Sequence, residues 1–102
     1  MTQEEIKSQI TKEIFWDINF NEIDFEKQKS FIIPRVMDRG TKRDVKLIWN
    51  FYGELAIKEN LLKSRYLEDK TIYFFANLFS IEPQSFRAFH FKKNNSSPSW
   101  NL

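Results

Sequence analysis

The segment from Phe15 to Gly53 constrains the fold of this chain more than any other part of the sequence. It contains Asp24, the pair Gly40-Thr41 and a terminal glycine, at intervals suited to the starts and ends of short helices. Aromatic residues at both ends supply side chains that can fill a core. The segment therefore predicts helices that meet at defined corners, and it indicates no particular chemistry.

The composition favours the same fold class. Seventeen residues are aromatic, eleven of them phenylalanine, whereas the 102-residue chain contains only two glycines and three prolines. Aromatic side chains bury a large area each, so a small chain can still form a core. The scarcity of glycine and proline leaves little material for the many turns of an all-β fold. We expect an all-α protein with a single compact domain of five to six short helices.

The absence of cysteine excludes disulfides and thiolate chemistry and suits a reducing compartment. No apolar run approaches the roughly 20 residues of a membrane-spanning helix, and the N-terminus lacks the apolar region of a signal peptide. We therefore expect a cytoplasmic protein without a membrane partner. Charge is unevenly distributed, because residues 1–30 have four basic and seven acidic groups whereas residues 31–102 have twelve and seven. This mildly basic body suits an acidic protein surface or nucleic acid.

Residues 1–14 are expected to form an N-terminal amphipathic helix. Thr2 and Glu5 have the spacing of a capping box. Isoleucines follow at four-residue intervals and predict one narrow apolar stripe, formed by Ile6, Ile10 and Ile14. Such a stripe packs on the domain's own core, on a neighbouring copy of the chain, or in a groove of a partner protein. The sequence leaves these alternatives open.

Residues 15–91 are expected to form the core of the domain. Asp24 is the candidate N-cap of a helix that ends at Arg39-Gly40, with a kink or a split near Phe31–Ile33 caused by Pro34. Gly40 is expected in the left-handed conformation. Four further helical segments are predicted: 41–52 with a Thr41/Asp44 cap, 54–65, one opened by Asp69, and one that begins at Pro83 and ends near Phe89.

Residues 92–102 are predicted to form a flexible tail, because the sequence KKNNSSPSWNL is polar and rich in serine and asparagine. Trp100 is the exception in this tail, since an indole is costly to leave in water. It is a candidate contact for a partner.

Residues suited to catalysis are scarce. His90 is the only histidine, so neither a histidine metal site nor an ordinary catalytic triad is indicated. Neither glycine belongs to a phosphate-binding loop. The aspartates are explained by capping or solvation. We therefore expect a non-enzymatic protein with no catalytic residues, no cofactor and no metal.

A helix-turn-helix-like DNA-binding regulator is the alternative. Segments 41–52 and 54–65, joined by Gly53, have the outline of this motif. The second helix begins with Glu-Leu-Ala, which offers no side chain suited to base edges. The cations available for phosphate contacts are Lys42, Arg43, Lys46 and Lys58.

The string from Phe15 to Leu67 resembles a family of small, largely uncharacterised bacterial proteins. The residues that carry the resemblance are Phe15, Trp16, Asp17, Asp24, Phe31, Ile32, Ile33, Arg35, Val36, Gly40, Thr41, Asp44, Tyr52, Gly53, Ser64, Arg65 and Leu67. These proteins are similar to the small partners encoded beside AbiEii-type nucleotidyltransferase toxins. The resemblance implies an antitoxin-like, toxin-binding role and assigns no catalytic residue.

The predicted partner contacts are the segments least needed by the fold, together with one charged corner. Arg35 lies near Asp38 and Asp44 around the Gly40-Thr41 joint, where an internal salt bridge or a partner contact can form. The full predicted set is Ile6, Ile10, Ile14, Arg35 and Trp100.

Overall fold

The computed structural model describes residues 1–95, with side chains described through residue 91. It contains six α-helices: α1 (Gln3–Gln9), α2 (Lys29–Arg39), α3 (Lys42–Tyr52), α4 (Glu54–Lys63), α5 (Asp69–Phe79) and α6 (Arg87–Asn95). Short 3₁₀ turns lie at Lys12–Phe15, Phe20–Glu22 and Pro83–Ser85. No strand occurs in these 95 residues. The prediction of an all-α fold with short helices is confirmed.

A single hydrophobic core joins the described helices. It contains twenty buried apolar residues between Ile6 and Ala88. Helix α2 packs against both α3 and α4, while α6 packs against α4 and α5. Two aromatic clusters extend the core: Phe15 with Phe20 and Phe25, and Trp49 with Phe75 and Phe79. The large aromatic content therefore supplies the core of this small chain.

The N-terminal segment differs from its prediction as one helix over residues 1–14. The Thr2/Glu5 capping box is present, but α1 ends at Gln9 and Ile10 adopts an extended conformation. A 3₁₀ turn follows. All three isoleucines of the predicted stripe are buried in the domain's own core, with exposures of 0% for Ile6 and 4% for Ile10 and Ile14. These side chains are not on the surface of the folded domain, so the expectation that they contact a partner is corrected.

The carboxylate of Asp44 holds the segment after α1 against the start of α3. Its Oδ1 accepts a hydrogen bond from the Thr11 backbone N–H at 2.9 Å, and its Oδ2 accepts one from the Thr11 hydroxyl at 2.8 Å. Oδ2 also accepts hydrogen bonds from the backbone N–H and the hydroxyl of Thr41, both at 2.9 Å. Asp44 is only 1% exposed. One buried carboxylate thus caps α3, as predicted, and also fixes the N-terminal segment against it.

Helix α2 begins later than predicted. Asp24 caps a separate turn, in which its Oδ1 accepts hydrogen bonds from the backbone N–H groups of Glu26 and Lys27. The Gln28 side chain accepts a hydrogen bond from the Asp24 N–H, and α2 starts only after this residue. The helix break that was predicted near Phe31–Ile33 therefore occurs at Gln28. Helix α2 then continues without a break through the buried Pro34 to Arg39.

The two glycines serve different purposes. Gly40 has φ −80° and ψ 165°, so the predicted left-handed conformation is wrong. A Cβ at this position would lie 2.7 Å from the Val36 carbonyl oxygen, so the close approach of the chain requires glycine. Gly53 between α3 and α4 has φ 89°, a conformation that residues with a side chain rarely adopt.

The C-terminal helix extends past the predicted end of the domain. Helix α6 runs to Asn95, so residues 92–95 continue it rather than start the tail. Trp100 lies outside the described residues, and its contact with a partner stays a prediction. Within the described residues, no helix combines the length and the apolarity needed to span a bilayer.

Replacement of Asp44 by asparagine is expected to lower the free energy of unfolding by about 2 to 3 kcal/mol. In either orientation, the NH₂ group of the new asparagine side chain faces a backbone N–H, that of Thr11 or that of Thr41, and two donors cannot form a hydrogen bond. Urea denaturation of Asp44→Asn measures the loss. Glu59→Gln, which removes an exposed carboxylate, is the matched control and should change stability by less than about 0.5 kcal/mol.

The difference between wild type and Asp44→Asn should also depend on pH. Burial tends to raise the pKa of Asp44, but the hydrogen bonds from Thr41 and Thr11 outweigh it and lower the pKa below the ordinary value. The stabilisation is therefore complete above the unfolded-state pKa of about 3.9 and is lost as the pH falls below it. A difference that stays constant from pH 7 to pH 2 would contradict this assignment.

Candidate functional site

A groove of about 520 Å³ lies between the end of α2, the start of α3 and the start of α5. Its rim contains three lysines, Lys42, Lys46 and Lys70, and we call it the lysine groove. Its apolar lining consists of Met37, Val45, Phe74 and Phe75. The site thus combines an apolar surface with positive charge.

Local sequence features position both walls of the lysine groove. The Thr41/Asp44 capping box starts α3, so Lys42 and Lys46 lie one turn apart on the same face. On the opposite wall, the Glu68 backbone N–H donates a hydrogen bond to Asp38 Oδ1 at 3.1 Å. This bond joins the end of α2 to the residue before α5. The groove is therefore formed by helices whose ends are fixed to each other.

Helix α5 presents an unusual amount of apolar surface. Its inner face includes Ile72 and Phe75, which are buried, and the Phe75 ring stacks near Trp49 with centroids 6.4 Å apart. Its outer face leaves Phe74 61% exposed and Leu78 53% exposed. Apolar side chains that are exposed together on one face of a helix make that face a candidate contact surface.

The electrostatics of the lysine groove favour an anionic ligand. Three lysines face a single lining carboxylate, Asp38. The Lys70 Nζ lies 3.6 Å from a Glu68 carboxylate oxygen, but both side chains are well exposed, so this pair is weak. The rim can therefore exchange this contact for a carboxylate or phosphate of a ligand at little cost.

Arg35, a predicted partner contact, is engaged within the protein. Its guanidinium donates two hydrogen bonds to the Asp17 carboxylate, at 2.5 and 2.8 Å. The Arg35 hydrogen bond lowers the pKa of Asp17 below its ordinary value. Arg35 thus forms an internal salt bridge, one of the two predicted alternatives, and its acid is Asp17, which was not among the predicted acids. Arg35 also stacks over the Phe31 ring, 5.0 Å from its centroid.

The four cations of the DNA-binding alternative do not share one location. Lys42 and Lys46 line the groove, and Arg43 is exposed on the same helix. Lys58 on α4 is half-buried, with its Nζ 5.7 Å from the centroid of the Phe79 ring. Phe74 and Lys70 were not predicted as site residues. The sequence signal that could have indicated them is their four-residue spacing on a helix that is apolar on both faces.

No cluster of metal-ligating side chains is found in the described part of the chain. Among these residues, no group of three histidine, cysteine, aspartate or glutamate side chains could hold a metal ion. The Nε2 of His90 lies 2.6 Å from the Gln84 carbonyl oxygen, a contact within its own part of the chain.

The fold and the groove define a small all-α protein with a lysine-rimmed apolar surface. The chain belongs to the family of unknown function DUF6922, whose model matches residues 10–61. No curated protein and no solved structure matches it. The matched segment contains both the Thr11–Asp44 hydrogen bonds and the Asp17–Arg35 salt bridge. It also contains the α3 wall of the groove, whereas Lys70 and Phe74 lie beyond it.

Adjacent phenylalanines on α5 allow a test of which face is available for binding. Phe74→Ala should change the free energy of unfolding by less than about 0.5 kcal/mol, because the ring is exposed. Phe75→Ala should cost about 3 to 5 kcal/mol, because the ring is buried in the aromatic cluster. Equal losses in chemical denaturation would show that Phe74 serves the core and not a surface.

Proposed function

We propose that this protein is a non-enzymatic interaction module of the cytoplasm that binds an acidic, amphipathic segment of a partner protein in the lysine groove. The observation that carries the proposal is the combination of exposed Phe74 with the three rim lysines. The apolar side chains of the partner would cover Phe74 and the groove lining, and its carboxylates would contact the lysines.

Physical complementarity supports an amphipathic helix as the bound segment. The groove is bordered by helices α3 and α5, and apolar grooves between helices bind the apolar face of a partner helix. Positive charge at the rim accelerates encounter with an acidic segment and disfavours basic ones. The apolar lining supplies affinity, and the lysines supply specificity.

A nucleotidyltransferase-type toxin is the first partner to test, and the proposed role is that of its antitoxin. This part of the proposal rests on the sequence resemblance, since the matched family has no assigned function. The proposed contact surface differs from the one first expected. The isoleucines of the N-terminal segment are buried and Arg35 is paired with Asp17, so the lysine groove takes their place.

Charge reversal on both walls tests the proposal. In co-purification from the native operon, the partner should elute with the wild-type protein, whereas Lys46→Glu/Lys70→Glu should weaken binding by about tenfold or more. The matched control is Lys29→Glu/Lys63→Glu, which reverses two exposed lysines outside the groove and should retain the partner.

Two outcomes would contradict different parts of the proposal. A neighbouring nucleotidyltransferase that never co-elutes with the wild-type protein would exclude the antitoxin role. Equal binding by the groove variant and the control variant would exclude the lysine groove as the contact surface. Folding of each variant is checked by its thermal unfolding, since all four lysines are exposed.

DNA binding remains the second candidate, favoured by the exposed cations Lys42, Arg43 and Lys46 on α3. The helix that would enter the major groove, α4, exposes Glu54 and Leu55 in its first turn, which disfavours base contacts. A mobility shift with operon promoter DNA that weakens with salt would support this candidate. An absent or salt-insensitive shift would count against it.

A further inference from the structure

A second hollow, of about 320 Å³, lies along the outer face of α2. Three arginines line it, Arg35, Arg39 and Arg65, and we call it the arginine pocket. Among its lining residues, it shares only Asp38 with the lysine groove. Phe31, Arg35 and Arg39 recur at four-residue intervals and so occupy one face of α2.

The loop after α4 forms the opposite wall of the arginine pocket and is held in place by hydrogen bonds. The Ser64 hydroxyl donates to the Tyr66 carbonyl oxygen at 2.8 Å. The bond from the Glu68 N–H to Asp38 fixes the end of the same loop to α2. Arg65 therefore lines the pocket from a hydrogen-bonded loop, and two further arginines line it from α2.

The three arginines differ in how they can bind a ligand. Arg35 is occupied by Asp17, so it serves as a fixed part of the wall. Arg39 and Arg65 are exposed, and the charge of Arg39 also contributes to lowering the pKa of Asp17. Each guanidinium offers a planar set of N–H donors that matches the oxygens of a phosphate group. The hydroxyls of Ser30 and Tyr66 also belong to side chains of the lining.

We propose that the arginine pocket binds a phosphate group, presented by a small phosphomonoester or as inorganic phosphate. Arg39 and Arg65 contact the phosphate oxygens from the two walls. Arginine is the residue best suited to this contact, since its paired N–H groups form two parallel hydrogen bonds. The pocket volume accommodates a phosphate and a small ester group beside it. This site is separate from the lysine groove and does not depend on the proposed function.

The pocket also differs chemically from the lysine groove. Besides Phe31, Pro34 and the single carboxylate of Asp38, its lining contains three arginines, two serines and a tyrosine, whereas the groove exposes mainly apolar side chains between its lysines. Since a phosphate ester needs many hydrogen-bond donors and little apolar contact, the arginine pocket suits it better. The two surfaces thus favour different ligands.

Titration with inorganic phosphate and with adenosine monophosphate, followed by calorimetry at constant ionic strength, tests the proposal. Wild-type protein should bind at least one of the two probes with a dissociation constant below about 1 mM, and Arg39→Gln and Arg65→Gln should each weaken binding about tenfold or more. Lys63→Gln is the matched control, because Lys63 is exposed, lies two residues from Arg65 and does not line the pocket.

The comparison of probes identifies the source of the phosphate. Tighter binding of adenosine monophosphate supports an ester ligand, and equal or tighter binding of inorganic phosphate supports the free anion. Absence of binding by the wild-type protein to both probes would overturn the proposal. Equal weakening by Lys63→Gln would also overturn it, because the effect would then reflect net charge. Lys46→Glu/Lys70→Glu should retain phosphate binding, which distinguishes this site from the lysine groove.

Discussion

The hydrogen bonds of the Asp44 carboxylate are the interaction on which the rest of the structure depends. A buried carboxylate is costly unless its oxygens are fully hydrogen-bonded, and Thr11 and Thr41 supply four donors. The Thr41 bonds start α3, and the Thr11 bonds hold the preceding segment against it. As a consequence, Ile10 and Ile14 face the core, and Lys42 and Lys46 emerge together at the rim of the groove.

Local features of this arrangement could be predicted from the sequence, because they depend on residues a few positions apart. The Thr2/Glu5 and Thr41/Asp44 capping boxes and the helix break at Gly53 are of this kind. The long-range partner of Asp44 could not be predicted, since Thr11 lies 33 residues away and nothing in its neighbourhood indicates the contact. The salt bridge of Arg35 could not be predicted for the same reason, because its acid is Asp17 rather than an aspartate nearer in the sequence.

The faces of α5 illustrate why the candidate site was missed. Phe74 and Phe75 are adjacent and chemically identical, so composition and propensity treat them alike. On a helix they point about 100° apart, and only the packing of α5 on Trp49 decides which ring is buried. Apolar periodicity predicts the helix and favours burial of Ile72 and Phe75, which is correct, but it also predicts burial of Leu78, which is 53% exposed. An exposed site made of core-like residues is therefore hard to find before the fold is known.

Asp38 connects the scaffold to both proposed surfaces. Residues 10–61, matched by the family, contain α2 and α3, which form one wall of the arginine pocket and one wall of the lysine groove. The opposite walls, with Arg65 and Lys70, come from residues beyond that segment. The hydrogen bond from the Glu68 N–H to Asp38 fixes these residues to α2. Because each surface needs both walls, a protein that shares only the matched segment would have the scaffold without either site. The binding properties proposed here thus depend on how residues 64–74 dock onto the family segment.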